Sequence, residues 1–151
     1  MLCFVPTEAS SPAVATGSVA AAATTGALVA IGHRIGSAAL PFAAIGAALL
    51  RRTVTAESSS LVLAGLVLHV TIVFLWSAVF VLLVRRARWG VGVAAMAIGA
   101  GELMMSQVVT SLTGAGVASV LQFGDQLVLA LVYVLALVVG MRFAFSLLRN
   151  A

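Results

Sequence analysis

The longest apolar stretch of the chain, Leu61 to Val84, runs 24 residues and contains His69 as its only titratable side chain. It ends at the charged pair Arg85 and Arg86. About 20 residues of α-helix are enough to cross the ~30 Å hydrocarbon layer of a bilayer. The stretch therefore predicts a transmembrane helix, and the chain is predicted to be an integral membrane protein.

The composition of the whole chain leads to the same class. Hydrophobic residues make up 63% of it and charged residues 8%, whereas soluble domains average about 25% charged residues. A water-soluble fold is excluded. The longest polar stretches are residues 6–12 and 53–60, which leave no room for an aqueous domain. We expect one all-α, polytopic membrane domain over residues 1–151, with four transmembrane helices in a small bundle.

The bounds of these helices follow from the apolar runs and the residues beside them. Ser11 before Pro12 is typical of a helix start, because a hydroxyl caps free amides and proline suits the first turn. Trp89, next to Arg88, is typical of an aromatic anchor at the membrane interface. The predicted helices cover about residues 12–32, 60–84, 89–109 and 125–148.

The segment 35–50 is a mainly apolar run of 16 residues that is interrupted by Pro41. As a straight helix it would reach only ~24 Å, which is short for a membrane crossing. We interpret it as a re-entrant or interfacial segment after the first helix, with a fifth crossing as the alternative.

The arginines predict the orientation. All eight basic residues are arginine, which favours a bacterial source with a GC-rich genome, and the inner membrane is the expected location. Cytoplasmic loops are enriched in basic residues, so the larger group of arginines places both termini in the cytoplasm. The larger group is Arg85, Arg86, Arg88, Arg142 and Arg149, against Arg34, Arg51 and Arg52.

The single cysteine, Cys3, excludes intramolecular disulfides and thiolate metal cages. A secretory signal is not expected, because Glu8 is the only charge before His33. No basic stripe interleaved with aromatics is present, so the net charge of +4 does not indicate nucleic-acid binding.

Glu102 is the first candidate for a functional residue. It shares a helical face with Ala95, Gly99 and Ser106, so it should face a neighbouring helix. A carboxyl group at this depth costs several kcal/mol unless it is protonated, paired or hydrated. Three roles remain open, namely a neutral acid with one interhelical hydrogen bond, ion or proton handling, and a cofactor contact.

His69 is the second candidate, on a face with Val73, Trp76 and Phe80. One interpretation is a buried neutral histidine bonded to Glu102 or to a backbone carbonyl. The other is a ligand of haem or of a chlorophyll-type metal, with His33 as an opposing ligand only if both rings lie at one depth. No other residue spacing predicts a metal site.

The predicted orientation collects His69, Glu102, Arg34 and Asp125 in the outer half of the membrane, as a candidate polar site. Asp125, which follows Gly124, is also predicted to be the N-cap of the last helix.

Small residues predict where helices approach each other closely. Ala22, Gly26 and Ala30 form one ridge of small residues, and Ala95 and Gly99 form part of another. The first ridge has two interpretations, packing within the chain or a contact between two copies of it.

Two functions are consistent with these features. The first is a structural or accessory subunit that docks on a larger membrane complex. The alternative is a small oligomeric transporter or channel component that handles a proton, an ion or a small polar solute through the polar site. Membrane lipid and other subunits, or further copies of the chain, are the expected partners. An enzyme is not expected, because no catalytic spacing and no phosphate-binding loop is present.

Overall fold

The computed structural model describes residues 10–55 and 58–149, and the side chains of 12–55 and 58–146. This part of the chain is helical and contains no β-strand. Its helices are α1 (Ser10–Arg34), α2 (Leu40–Leu50), α3 (Ser59–Arg85), α4 (Val91–Thr113), α5 (Val117–Val120) and α6 (Phe123–Arg149). Cys3, Glu8 and Glu57 lie outside the described residues.

Four of these helices, α1, α3, α4 and α6, are long and apolar enough to span a membrane. Their outward faces carry large apolar side chains, such as Leu63, Leu75 and Leu112, which are 63%, 62% and 80% exposed. Such faces are suited to lipid rather than water. The prediction of an all-helical chain with four helices able to span a membrane is confirmed for the described residues.

Helix α4 ends later than the apolar run suggests, at Thr113. The chain turns at Gly114, whose backbone is left-handed (φ 69°) and whose amide donates to the carbonyl of Thr110. Glycine adopts this conformation without steric cost, and it commonly ends helices. The predicted connection 110–124 therefore contains the last turn of α4 and the short helix α5.

Helix α2 has 11 residues, so it is about 16 Å long and too short for a fifth crossing. Pro41 lies in its first turn, where a missing amide proton breaks no helical hydrogen bond, so it starts this helix instead of interrupting it. Phe42, Ala43 and Ala47 are buried within the protein.

Helices α2 and α3 touch through their backbones at two glycines. A Cβ atom on Gly46 would overlap the carbonyl of Leu61, and one on Gly65 would overlap the carbonyl of Phe42. Only glycine allows helices to approach this closely. The short helix is therefore packed antiparallel along the first two turns of α3.

The long helices are connected unevenly. Helix α1 packs along both α6 and α3, and α4 packs along α6, whereas α3 has few contacts with α4 or α6. Tyr133, Phe80, Leu137 and Met141 are almost fully buried in the main core. The sparse contact between α3 and α4 leaves a gap in the wall of the protein.

Gly65→Ala should lower the free energy of unfolding, because a methyl group cannot fit between the two backbones. We expect a loss of ~1–3 kcal/mol, as for other overpacked sites. The matched control is Gly26→Ala, since a Cβ atom there meets nothing within 4 Å, and it should raise helix stability by ~0.5–1 kcal/mol. Thermal unfolding in detergent measures both, and equal stabilities would contradict the close contact.

Candidate functional site

A cavity of about 270 Å³ lies between α3 and α4. Helices α2 and α5 contribute Ile45, Ala48, Leu49 and Val117 to its wall. Its surface is mainly apolar, with a small number of polar and aromatic groups. These groups are Thr24, His69, Trp76, Glu102, Ser106 and Tyr133. The two residues singled out first from the sequence, His69 and Glu102, therefore line the same space.

His69 is held by α1. Its Nε2 atom lies 3.0 Å from the hydroxyl oxygen of Thr24, and that hydroxyl also lies 2.8 Å from the carbonyl oxygen of Ala20. A hydroxyl has one proton, and in the tautomer where this proton goes to the Ala20 carbonyl, Nε2–H donates to Thr24. The partner is a threonine hydroxyl, not the Glu102 carboxyl or the backbone carbonyl that we predicted.

The other side of the His69 ring meets α2. The rings of Phe42 and His69 are edge to face, with centroids 6.1 Å apart. In this tautomer Nε2 carries the proton, and Nδ1 is the nitrogen with the free lone pair. The ring is thus positioned by two helices before any ligand binds.

Glu102 lines the cavity from α4, and within residues 10–55 and 58–149 its carboxyl has no hydrogen-bond partner. The ring of Trp76 reaches across from α3, and its Cη2 atom lies 3.6 Å from where a Cβ of Gly101 would be. The indole therefore lies beside the backbone of the residue that precedes the acid. An interhelical hydrogen bond was one predicted role of Glu102, and the described residues do not form it.

Two hydroxyl groups were missed from the sequence. Tyr133, 2% exposed, lines the cavity from α6, and its phenol donates to the carbonyl of Val73 at 3.3 Å. The hydroxyl oxygen of Ser106 is buried and has no hydrogen-bond partner in the described part of the chain. Ser106 was noted only as a small residue on the face of Glu102.

The other two members of the predicted polar site, Arg34 and Asp125, form a separate ion pair outside the cavity. The Arg34 side chain is 63% exposed, whereas that of Asp125 is 11% exposed. Helix α6 begins at Phe123, so Asp125 lies within its first turn, and the prediction that it is the N-cap is wrong. The pair joins the end of α1 to the start of α6.

A second polar connection joins α4 to α6 and was not predicted. The Gln107 amide nitrogen donates to the Gln126 side-chain oxygen at 2.6 Å, and the Gln126 amide nitrogen donates to the carbonyl of Leu121 at 3.0 Å. Amide side chains carry no charge and stand out little in an apolar sequence. Only the tertiary contact identifies them as a pair.

A haem or chlorophyll-type group does not fit this site. The Nε2 atom of His69 is engaged by Thr24, and about 270 Å³ is below the roughly 300–1,000 Å³ of sites for drug-sized ligands. His33 is exposed at the end of α1, about 14 Å along the helix from Thr24, so the structure does not bring it to His69. The described residues contain no group of three or more His, Cys, Asp or Glu that could hold a metal ion.

The two ridges of small residues have different surroundings. Gly99 is buried against Val134 and Ala130 of α6, with Ala95 fully buried beside it. Ala22 and Ala30 are exposed, and nothing lies within 4 Å of a Cβ built on Gly26. The ridge on α1 therefore makes no helix contact at Gly26 within the described chain, and its use between copies stays a prediction.

No family model, no curated protein and no solved structure matches this chain. Any functional assignment therefore rests on the chemistry of the cavity.

Thr24→Val should destabilise the protein, because the His69 Nε2–H would lose its acceptor in an apolar surrounding. The expected cost is ~1–3 kcal/mol. Thr71→Val is the matched control, since Thr71 is exposed on α3 and its hydroxyl donates only to the carbonyl of Val67.

Thermal unfolding of the two variants, together with the NMR signal of the His69 ring proton, measures the effect. The Nε2–H signal should shift strongly in Thr24→Val and stay unchanged in Thr71→Val. Equal stability and equal ring signals in the two variants would contradict the assigned hydrogen bond.

Proposed function

We propose that this protein admits a small solute into the cavity between α3 and α4, as a small transporter or channel component of the membrane. The supporting observation is that His69 and Glu102, from two different helices, line one cavity. Of the two functions consistent with the sequence, the geometry favours this one.

The state of Glu102 supports a binding role over a purely structural one. A polar group that only joins helices is expected to be paired, because an unpaired carboxyl in an apolar surrounding is costly. The carboxyl of Glu102 has no partner among the described residues, and neither has the hydroxyl of Ser106 on the next turn. Two unpaired polar groups facing one cavity are typical of a site completed by a ligand or water.

The position of the cavity supports entry from outside the chain. Leu49 on α2 and Val109 on α4 belong to its lining, yet they are 54% and 37% exposed. The cavity therefore reaches the surface between these helices. With both termini in the cytoplasm, as the arginines predict, this edge faces the outer half of a bacterial inner membrane. A single small chain offers little path for a solute, so the proposed active form is an oligomer.

Ser106→Cys should react readily with N-ethylmaleimide, in a Cys3→Ser background that removes the natural thiol. Thiolates form where water reaches, so we expect labelling at least ~10-fold faster than at a site facing lipid. Met104→Cys is the matched control, because Met104 lies on the same helix and is 70% exposed on the outward face. Alkylation rates measured in membranes decide the matter, and equal rates at the two positions would contradict a solvated cavity.

A second candidate function is an accessory subunit, favoured by the outward ridge of Ala22, Gly26 and Ala30. Helices in membranes associate by close packing of such residues, and Gly26 has open space around it. Under this hypothesis the ridge docks on a helix of another subunit in a larger complex.

Gly26→Leu should then release the chain from its assembly without unfolding it, because nothing in the described chain lies within 4 Å of a Cβ built at this position. Gly92→Leu is the matched control, since Gly92 is equally open but lies on α4. Particle mass in mild detergent measures assembly, and a wild-type particle of one chain would reject this second function. Gly99→Leu is unsuitable for the test, because Gly99 is packed against Val134 and the fold itself would be disturbed.

A further inference from the structure

Building on the proposed function, we infer that the solute is a small organic cation, whose positive charge lies between the Glu102 carboxyl and the Trp76 ring. A quaternary ammonium with short alkyl groups has the required chemistry. The inference depends on the charge, the wall chemistry and the size of the cavity.

The charges around the cavity favour a cation. Glu102 is the only acidic residue among the described residues that line it, and no arginine lines it. Arg34 is already paired with Asp125. Among the described lining residues no arginine pairs with the Glu102 carboxylate, so a solute cation or a proton can neutralise it. An anion would meet the like charge of Glu102, and none of the described lining residues is an arginine that could pair with it.

The walls favour an organic cation over a metal ion. A bare inorganic cation needs about six or more oxygen ligands in place of its hydration shell. The Thr24 hydroxyl is already bonded to His69. The other side-chain oxygens of the described lining are those of the Glu102 carboxyl and of the Ser106 and Tyr133 hydroxyls. The rest of the surface is mainly apolar, as Leu28, Ile72 and Leu129 illustrate. Alkyl groups of an organic cation are compatible with such walls.

The aromatic groups are placed to contact a cation beside the acid. Trp76 crosses the gap from α3 and lies against Gly101, the residue before Glu102. Tyr133 lines the same cavity from α6. Aromatic faces attract ammonium groups, and tryptophan does so most strongly. Glu102 and Trp76 both line the cavity and can therefore act on one charge within it.

The volume limits the size of the ligand. At about 270 Å³, the cavity lies just under the roughly 300–1,000 Å³ of sites for drug-sized molecules. Choline, a trimethylammonium group with a short hydroxyethyl arm, suits this range. Its neutral analogue 3,3-dimethyl-1-butanol has the same shape, with carbon in place of the charged nitrogen.

The experiment compares these two probes by the fluorescence of Trp76. The chain has two tryptophans, so Trp89→Phe leaves Trp76 as the only reporter, inside the cavity. We expect choline to bind at least ~10-fold more tightly than the neutral alcohol, because only choline engages the carboxylate and the ring by its charge. Glu102→Gln should reduce choline affinity to that of the alcohol and leave the alcohol unchanged.

The outcomes separate this inference from the proposed function. Equal binding of the two probes would overturn the inference, while the cavity would remain a solute site. Binding of neither probe would also overturn it, and N-ethylmaleimide labelling at Ser106→Cys then shows whether solute access fails too. If Glu102→Gln does not fold, the probe pair on Trp89→Phe alone still tests the charge. Calorimetry on Trp76→Leu gives a second test, in which the affinity for choline should fall more than the affinity for the alcohol.

Discussion

The backbone contact between Gly46 and Gly65 is the interaction on which the site depends. It holds an 11-residue helix, too short to span a membrane, against the first turns of α3. From there α2 supplies Ile45, Ala48 and Leu49 to the cavity wall and sets Phe42 against the His69 ring. A methyl group at either glycine would move the helix away and with it that wall of the cavity. Two residues without side chains thus determine where the polar ones meet.

The side-chain hydrogen bonds support the two sides of the cavity differently. Thr24 joins α1 to His69 on α3, and Tyr133 joins α6 to the carbonyl of Val73 on α3. These bonds fix one side of the cavity. Helix α4, which carries Glu102, is bonded to α6 through Gln107 and Gln126 instead. Glu102 and His69 therefore lie on two walls of the cavity that are held by different interhelical hydrogen bonds.

Hydropathy predicted the four long helices because length and apolar composition are local properties of a sequence. Glu102 and His69 were found for the same reason, since ionisable residues are conspicuous in apolar helices. Their surroundings were not predictable from the sequence, because Thr24, Tyr133 and Gly101 make their contacts with residues of other helices. The N-cap assigned to Asp125 was wrong because α6 begins two residues earlier, at Phe123, and its ion-pair partner, Arg34, comes from a distant part of the chain. The Gly26 ridge was named from the sequence, but Gly46 and Gly65, where the backbones of α2 and α3 are in close contact, were not.

The few contacts between α3 and α4 have a mechanical consequence. A helix bonded along one edge can tilt about that edge while its interhelical hydrogen bonds stay intact. Swinging α4 outward would exchange its side-chain contacts with α3 for contacts with acyl chains. In water such an exchange is opposed by the hydrophobic effect, but lipid tails are as apolar as the side chains they replace. In a bilayer the seam between α3 and α4 is therefore a place where this protein can open at low cost.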